Sequence, residues 1–71
     1  MEQVGEMIRY YRGEAGLTQE ELAALAGVST SSLIGIETGE TQRPRVVTLA
    51  KLAHALKIDP RELTMGKVLA R

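Results

Sequence analysis

The residues of this chain that could do chemistry are hydroxyls and arginines. Thr30, Ser31 and Ser32 form a hydroxyl run directly behind Ser29, and Arg43 and Arg45 flank Pro44 in the polar stretch ETQRPR. Such groups donate hydrogen bonds to anions and polar edges. Bond making is a poorer match, because a serine nucleophile needs a base beside it and none is spaced to activate Ser31 or Ser32. His54 is the single histidine and cysteine is absent, so His54 has no nitrogen or sulfur partner for a metal site and none is expected. There is no paired acid and base and no phosphate-cradling loop, and 71 residues leave little room for a pocket. The expectation is a binding protein that is not an enzyme, with no catalytic residue, cofactor, metal or small-molecule ligand.

These groups need elements to hold them, and the apolar periodicity supplies helices throughout. Val4, Met7, Ile8 and Tyr11 fall at i, i+3, i+4 and i+7, which predicts a first helix over about 2–15 ended by Gly16, with Leu17 folding back. Thr18 and Glu21 make a capping box for a second helix over about 19–26. Ser29 caps a third that ends at Thr38, before Gly39. A fourth is predicted over 46–56, with Val46, Leu49, Leu52, Ala53 and Leu56 as its apolar stripe. A fifth starts at the Asp59-Pro60-Arg61-Glu62 signal and runs to about Met65. Gly66 is expected to end it, with 66–71 as a tail. The fold class is therefore all-α, five short helices in one domain over 1–71, with a core from about 4 to 65.

The second and third of these helices are joined too tightly to be independent. Gly27 stands where the chain must reverse, and a left-handed backbone is cheap there only for glycine. Val28 plugs the turn, Leu33 and Ile36 give the third helix its apolar stripe, and Ala23 is small enough for two helices to cross closely. This is a helix-turn-helix, a unit commonly used to lay its second helix in the major groove of DNA. Thr18 and Ser29 are caps first, but helix N-termini also attract phosphate.

Composition constrains the rest. A chain of this size buries only about 60% of its unfolded surface, so its core must be well made. That core must be aliphatic, because Tyr10 and Tyr11 are the only aromatics. The N-terminal MEQVGEMIRYYR has no long apolar run or cleavage site, and no segment is long enough to span a bilayer. With the lack of cysteine, this predicts a cytoplasmic protein with no membrane association. Nine basic residues balance nine acidic ones, which predicts a weak non-specific electrostatic attraction to DNA. His54, Arg9, Lys51 and Lys57 are expected on solvated faces.

The run LTQEELAALAGVS, then IETG, then TLAKLAHAL and IDPREL resembles the lambda-repressor-like helix-turn-helix domain of the xenobiotic-response-element (Cro/C1) type, from about Val4 to Leu63. The resemblance implies a bacterial, sequence-specific transcriptional regulator of double-stranded DNA acting as a homodimer. It implies that Gln19 contacts a phosphate and braces the third helix. It further implies that Thr30, Ser31, Ser32, Gly35 and Ile34 face bases, that Thr41, Arg43 and Arg45 serve phosphates, and that Arg12 pairs with Glu37.

Two positions depart from the family. Relatives carry arginine, lysine or glutamine where Thr30 stands and a basic residue where Gly35 stands. The helix STSSLIGIET therefore has no cation for a bidentate guanine contact, leaving hydroxyls and an Ile34 able to pack on thymine methyls. The uncharged helix, the zero net charge and Gly35 leave an alternative open: the same fold used as a protein-interaction module, or an antitoxin-like partner of another protein.

Overall fold

In a computed structural model, which describes residues 2–65 and the side chains of 4–63, the capping signals become five helices. They are α1 (Glu2–Ala15), α2 (Gln19–Ala26), α3 (Thr30–Thr38), α4 (Val46–Leu56) and α5 (Pro60–Met65). Gly66 and the 66–71 tail lie outside the described residues. Thr18 Oγ1 accepts from the Glu21 N–H at 3.0 Å and the Glu21 carboxylate accepts from the Thr18 N–H at 2.9 Å, which completes the capping box of α2. Ser29 Oγ accepts from the Ser32 N–H at 3.0 Å at the start of α3; the third helical residue is a serine here, too short to return the bond. At α5, Asp59 accepts from the Arg61 N–H and the Glu62 carboxylate accepts from the Asp59 N–H. A hydrogen bond from the Arg61 side chain holds the Asp59 carboxyl below its ordinary pKa.

Between α2 and α3 the chain turns in three residues. Gly27 has a φ of +73°, and the Val28 N–H reaches back to the Ala23 carbonyl at 3.0 Å, closing the end of α2. The core is shared by all five helices: Val4, Met7 and Ile8 from α1, Leu22, Ala23 and Ala26 from α2, Leu33 and Ile36 from α3, Leu49, Leu52 and Ala53 from α4, and Leu63 from α5. Tyr11, Leu17, Val28 and Leu56 are half-buried against it. Among the described residues no helix is long and apolar enough to cross a membrane.

Three features differ from the sequence expectation. Val46 is 83% exposed and does not join the stripe of α4, because it is the first helical residue and precedes the face that meets α2. The end of α4 is closed by Lys57 in a left-handed conformation (φ 61°), where no glycine marks a stop. Gly5, unremarked in the sequence, is buried where α1 crosses α3. A Cβ there would strike the Ile36 carbonyl oxygen and lie 3.1 Å from that of Glu37. The absent side chain lets the two backbones touch.

Candidate nucleic-acid interface

The inner side of α3 is tied down by one buried carboxylate. Glu37 is 3% exposed. Its Oε2 accepts from Arg12 Nε at 2.8 Å, and its Oε1 accepts from Arg12 Nη2 at 3.1 Å and Gln19 Nε2 at 2.9 Å. Arg12 Nη1 donates to the Leu17 carbonyl at 2.9 Å. One fork-shaped guanidinium therefore joins α1, the α1–α2 turn and the end of α3, and the amide that opens α2 joins them too. Two opposite charges brought out of water are tolerable only when their hydrogen-bonding groups are matched, as here. The Arg12–Glu37 pair and the bracing role of Gln19 follow the expectation from sequence. Gln19 is half-buried, its amide turned toward Glu37.

The outer side of α3 is polar and uncharged. Ser31 and Ser32 are exposed, Thr30 is half-buried, and Ile34 keeps 39% of its surface open. Residues three and four apart share a helix face, so Ile34 has Thr30 and Ser31 one turn before it and Thr38 one turn after. Gly35 corrects the expectation that it faces bases. It is buried, and a Cβ on it would lie 2.9 Å from Thr41 Oγ1. After Gly39 the chain folds back so that the Thr41 N–H donates to the Gly35 carbonyl at 2.9 Å, and the Thr41 side chain covers the glycine. The Gly35 position is closed by this loop.

The same fold-back gathers the loop residues. Thr41, Arg43 and Arg45 are exposed. With Ser32, Ile36, Pro44 and Thr48 they line one open cleft of about 360 Å³ beside α3. Arg45 is the N-cap of α4 but places no side-chain hydrogen bond on the first turn of that helix. Thr48 was not singled out from the sequence; its signal was a polar residue in the first turn of α4, just beyond Arg45. Thr18 and Ser29 are exposed, each at the N-terminus of its helix and each with its oxygen engaged in capping. Thr18, the N-cap of α2, and Gln19, its first residue, do not line the cleft. Among the described residues no three His, Cys, Asp or Glu side chains group to hold a metal ion.

The profile of the Helix-turn-helix family matches residues 8–63. The HTH-type transcriptional repressor RghR of Bacillus subtilis (strain 168) is 45% identical over 58 residues, spanning 82% of this chain and 43% of RghR. The chain thus corresponds to less than half the length of that relative. Among solved structures, the N-terminal DNA-binding domain of SinR from Bacillus subtilis superposes with a TM-score of 0.88 at 33% identity, covering 90% of this chain and 93% of that one. The restriction-modification controller protein C.AhdI from Aeromonas hydrophila gives 0.80 at 43% identity over 86% of this chain and 91% of its own. The profile runs from within α1 into α5, and this chain belongs to the helix-turn-helix family of the Cro/C1 type.

Proposed function

We propose that this chain is a sequence-specific, DNA-binding transcriptional regulator that places α3 in the major groove of double-stranded DNA. The observation that carries the reading is the arrangement of the outer side of α3. Its exposed hydroxyls and Ile34 stand beside the Arg43–Arg45 loop and the N-terminal end of α4. Helix N-termini present N–H groups and partial positive charge, and arginines bind phosphate in fork geometry. In this reading Thr30, Ser31, Ser32 and Ile34 meet base edges. Thr41, Arg43 and Arg45 meet phosphates, with Thr18, Gln19, Ser29 and Thr48 as further donors close by. Gly35 contributes the seat for Thr41 and no base contact. The activity is binding without catalysis, residues 4–65 form the DNA-binding unit, and the working protein is a cytoplasmic homodimer on two half-sites about 34 Å apart.

The uncharged face of α3 favours one rival, a surface for another protein. Titrating labelled random-sequence duplex by fluorescence anisotropy at low salt separates the two. Binding that weakens as salt rises, followed by enrichment of a two-fold symmetric consensus from a random pool, is the expected result. Absence of any affinity at low salt would overturn DNA binding and leave the protein-contact reading in its place. Sedimentation of the complex with the selected duplex reads two chains per site if the dimer is correct.

A further inference from the structure

We infer that Ile34 is the specificity-determining residue of the interface and that it reads the C5-methyl group of thymine. The inference rests on the proposed docking of α3 and deepens it to a class of base. On the outer side of α3 no charged side chain is available: Glu37 is buried on Arg12 and Gln19, and the Gly35 position is covered by Thr41. What faces outward is one branched apolar side chain, 39% exposed, with the hydroxyls of Thr30 and Ser31 a turn before it; the Thr38 hydroxyl, a turn after, is turned back on the Gly35 carbonyl. A hydroxyl can donate or accept, so it accommodates every base edge and selects weakly among them. Ile34 is less tolerant. Against adenine or guanine it would strip water from N7, N6 or O6 without replacing the lost hydrogen bonds. Against cytosine it finds no methyl to bury. Thymine alone offers an apolar methyl beside an O4 acceptor, so Ile34 covers the methyl while a neighbouring hydroxyl donates to O4.

The test uses duplexes that differ by a methyl group only. A duplex selected from a random pool by the whole chain should carry thymine at one fixed place in each half-site. Replacing that thymidine with deoxyuridine should weaken binding about fourfold per contacted methyl, the effect of one buried carbon. Cytosine placed there should bind about fourfold better when it is 5-methylated. Ile34→Ala, an exposed position whose thermal melt should match the parent, should bind thymine and uracil duplexes equally. Equal affinity of the parent for thymine and uracil duplexes would overturn the inference while leaving DNA binding intact. So would an Ile34→Ala variant that keeps the thymine preference. Failure to bind any duplex would overturn the inference together with the function beneath it.

Discussion

On its inner side α3 carries a charge, Glu37, that is buried and matched by donors from Arg12 and Gln19; on its outer side it carries hydroxyls and an isoleucine and no charge at all. A helix that docks on DNA is ordinarily expected to show the reverse, with charge where phosphates lie and neutrality within. The contrast shows that one nine-residue helix divides its work by face. Charge is spent inside, where it fixes the pose of α3 against α1 and α2. The exposed cations nearest the outside, Arg43 and Arg45, lie on a separate segment, the 40–45 loop, which is held to α3 by Thr41 over Gly35. Stability and affinity should accordingly be separable by mutation.

The largest effect is expected from Glu37→Ala. It removes the acceptor of Arg12 and Gln19 together and leaves a guanidinium in a half-buried site. Breaking a buried pair costs about 3–5 kcal/mol, and because the Arg12 side chain keeps 21% of its exposure the lower end applies, about 3 kcal/mol. A chemical-denaturation curve reads the loss, with Glu37→Gln as the milder variant should the first not fold. Gly5→Ala should follow at about 2 kcal/mol, since its Cβ meets backbone carbonyl oxygens of α3 that cannot rotate aside. A tolerated alanine there would mean that the α1–α3 seam is looser than it stands in the structure.

The outer face should answer in the opposite way. Arg43→Ala and Arg45→Ala alter exposed side chains, so the melting temperature should hardly move. If they serve phosphates, each should lower the slope of log affinity against log salt by about 0.9. Losses of stability without a change in slope would place these arginines with Glu37 as structural groups and break the division.

Much of this division was legible in the sequence, and the exceptions have physical reasons. Caps are local chemistry, so Thr18, Glu21, Ser29, Gly27 and Gly39 mark the helix ends where they are found. The Arg12–Glu37 pair came from a resemblance to a family, not from spacing, since residues 25 positions apart have no local rule that joins them. Gly35 misled because helical periodicity says which way a residue faces but not which loop returns to cover it. Gly5 carried half a signal: a glycine inside a helix is unfavourable and wants a reason, but the partner that supplies it lies on α3. Val46 fits the apolar spacing of α4, but the buried stripe begins three residues later, at Leu49.

Lys57 shows the reverse case, a stop that no residue type announces. The Lys57 and Ile58 N–H groups close α4 on the His54 and Ala53 carbonyls, at 3.1 and 3.0 Å, and impose a left-handed backbone on a lysine. Lys57→Gly should relieve about 1 kcal/mol of strain and raise the melting temperature, without touching either face of α3. A drop instead would mean that the lysine side chain contributes more than its backbone conformation costs.

The smallest effect concerns the second tether of α1. Tyr11 Oη donates to Glu62 Oε1 at 2.8 Å, joining α1 to α5 as Arg12 joins it to α3. Partial burial, with the adjacent Glu62 carboxylate, raises the Tyr11 pKa from 10.0 to about 12. The folded value lies above the unfolded one, so the bond's contribution is complete below pH 10 and is lost as the pH rises through 12. The acceptor is a carboxylate, so the bond is charge-assisted, but at a half-exposed site solvent screening holds its contribution to about 1 kcal/mol. Tyr11→Phe should therefore be slightly less stable than the parent at neutral pH, and the gap should close in denaturation curves recorded from pH 10 to 12. Absorbance titration of the phenols in a Tyr10→Phe background should show the remaining tyrosine ionising near 12 in the folded chain and near 10 in denaturant. The Glu37 tether has no such phenol, so Glu37→Gln should show no matching convergence over that interval. A gap between the Tyr11→Phe and parent curves that stays constant through pH 12 would mean that the phenol's value lies in packing and that α1 has a single polar anchor, at α3.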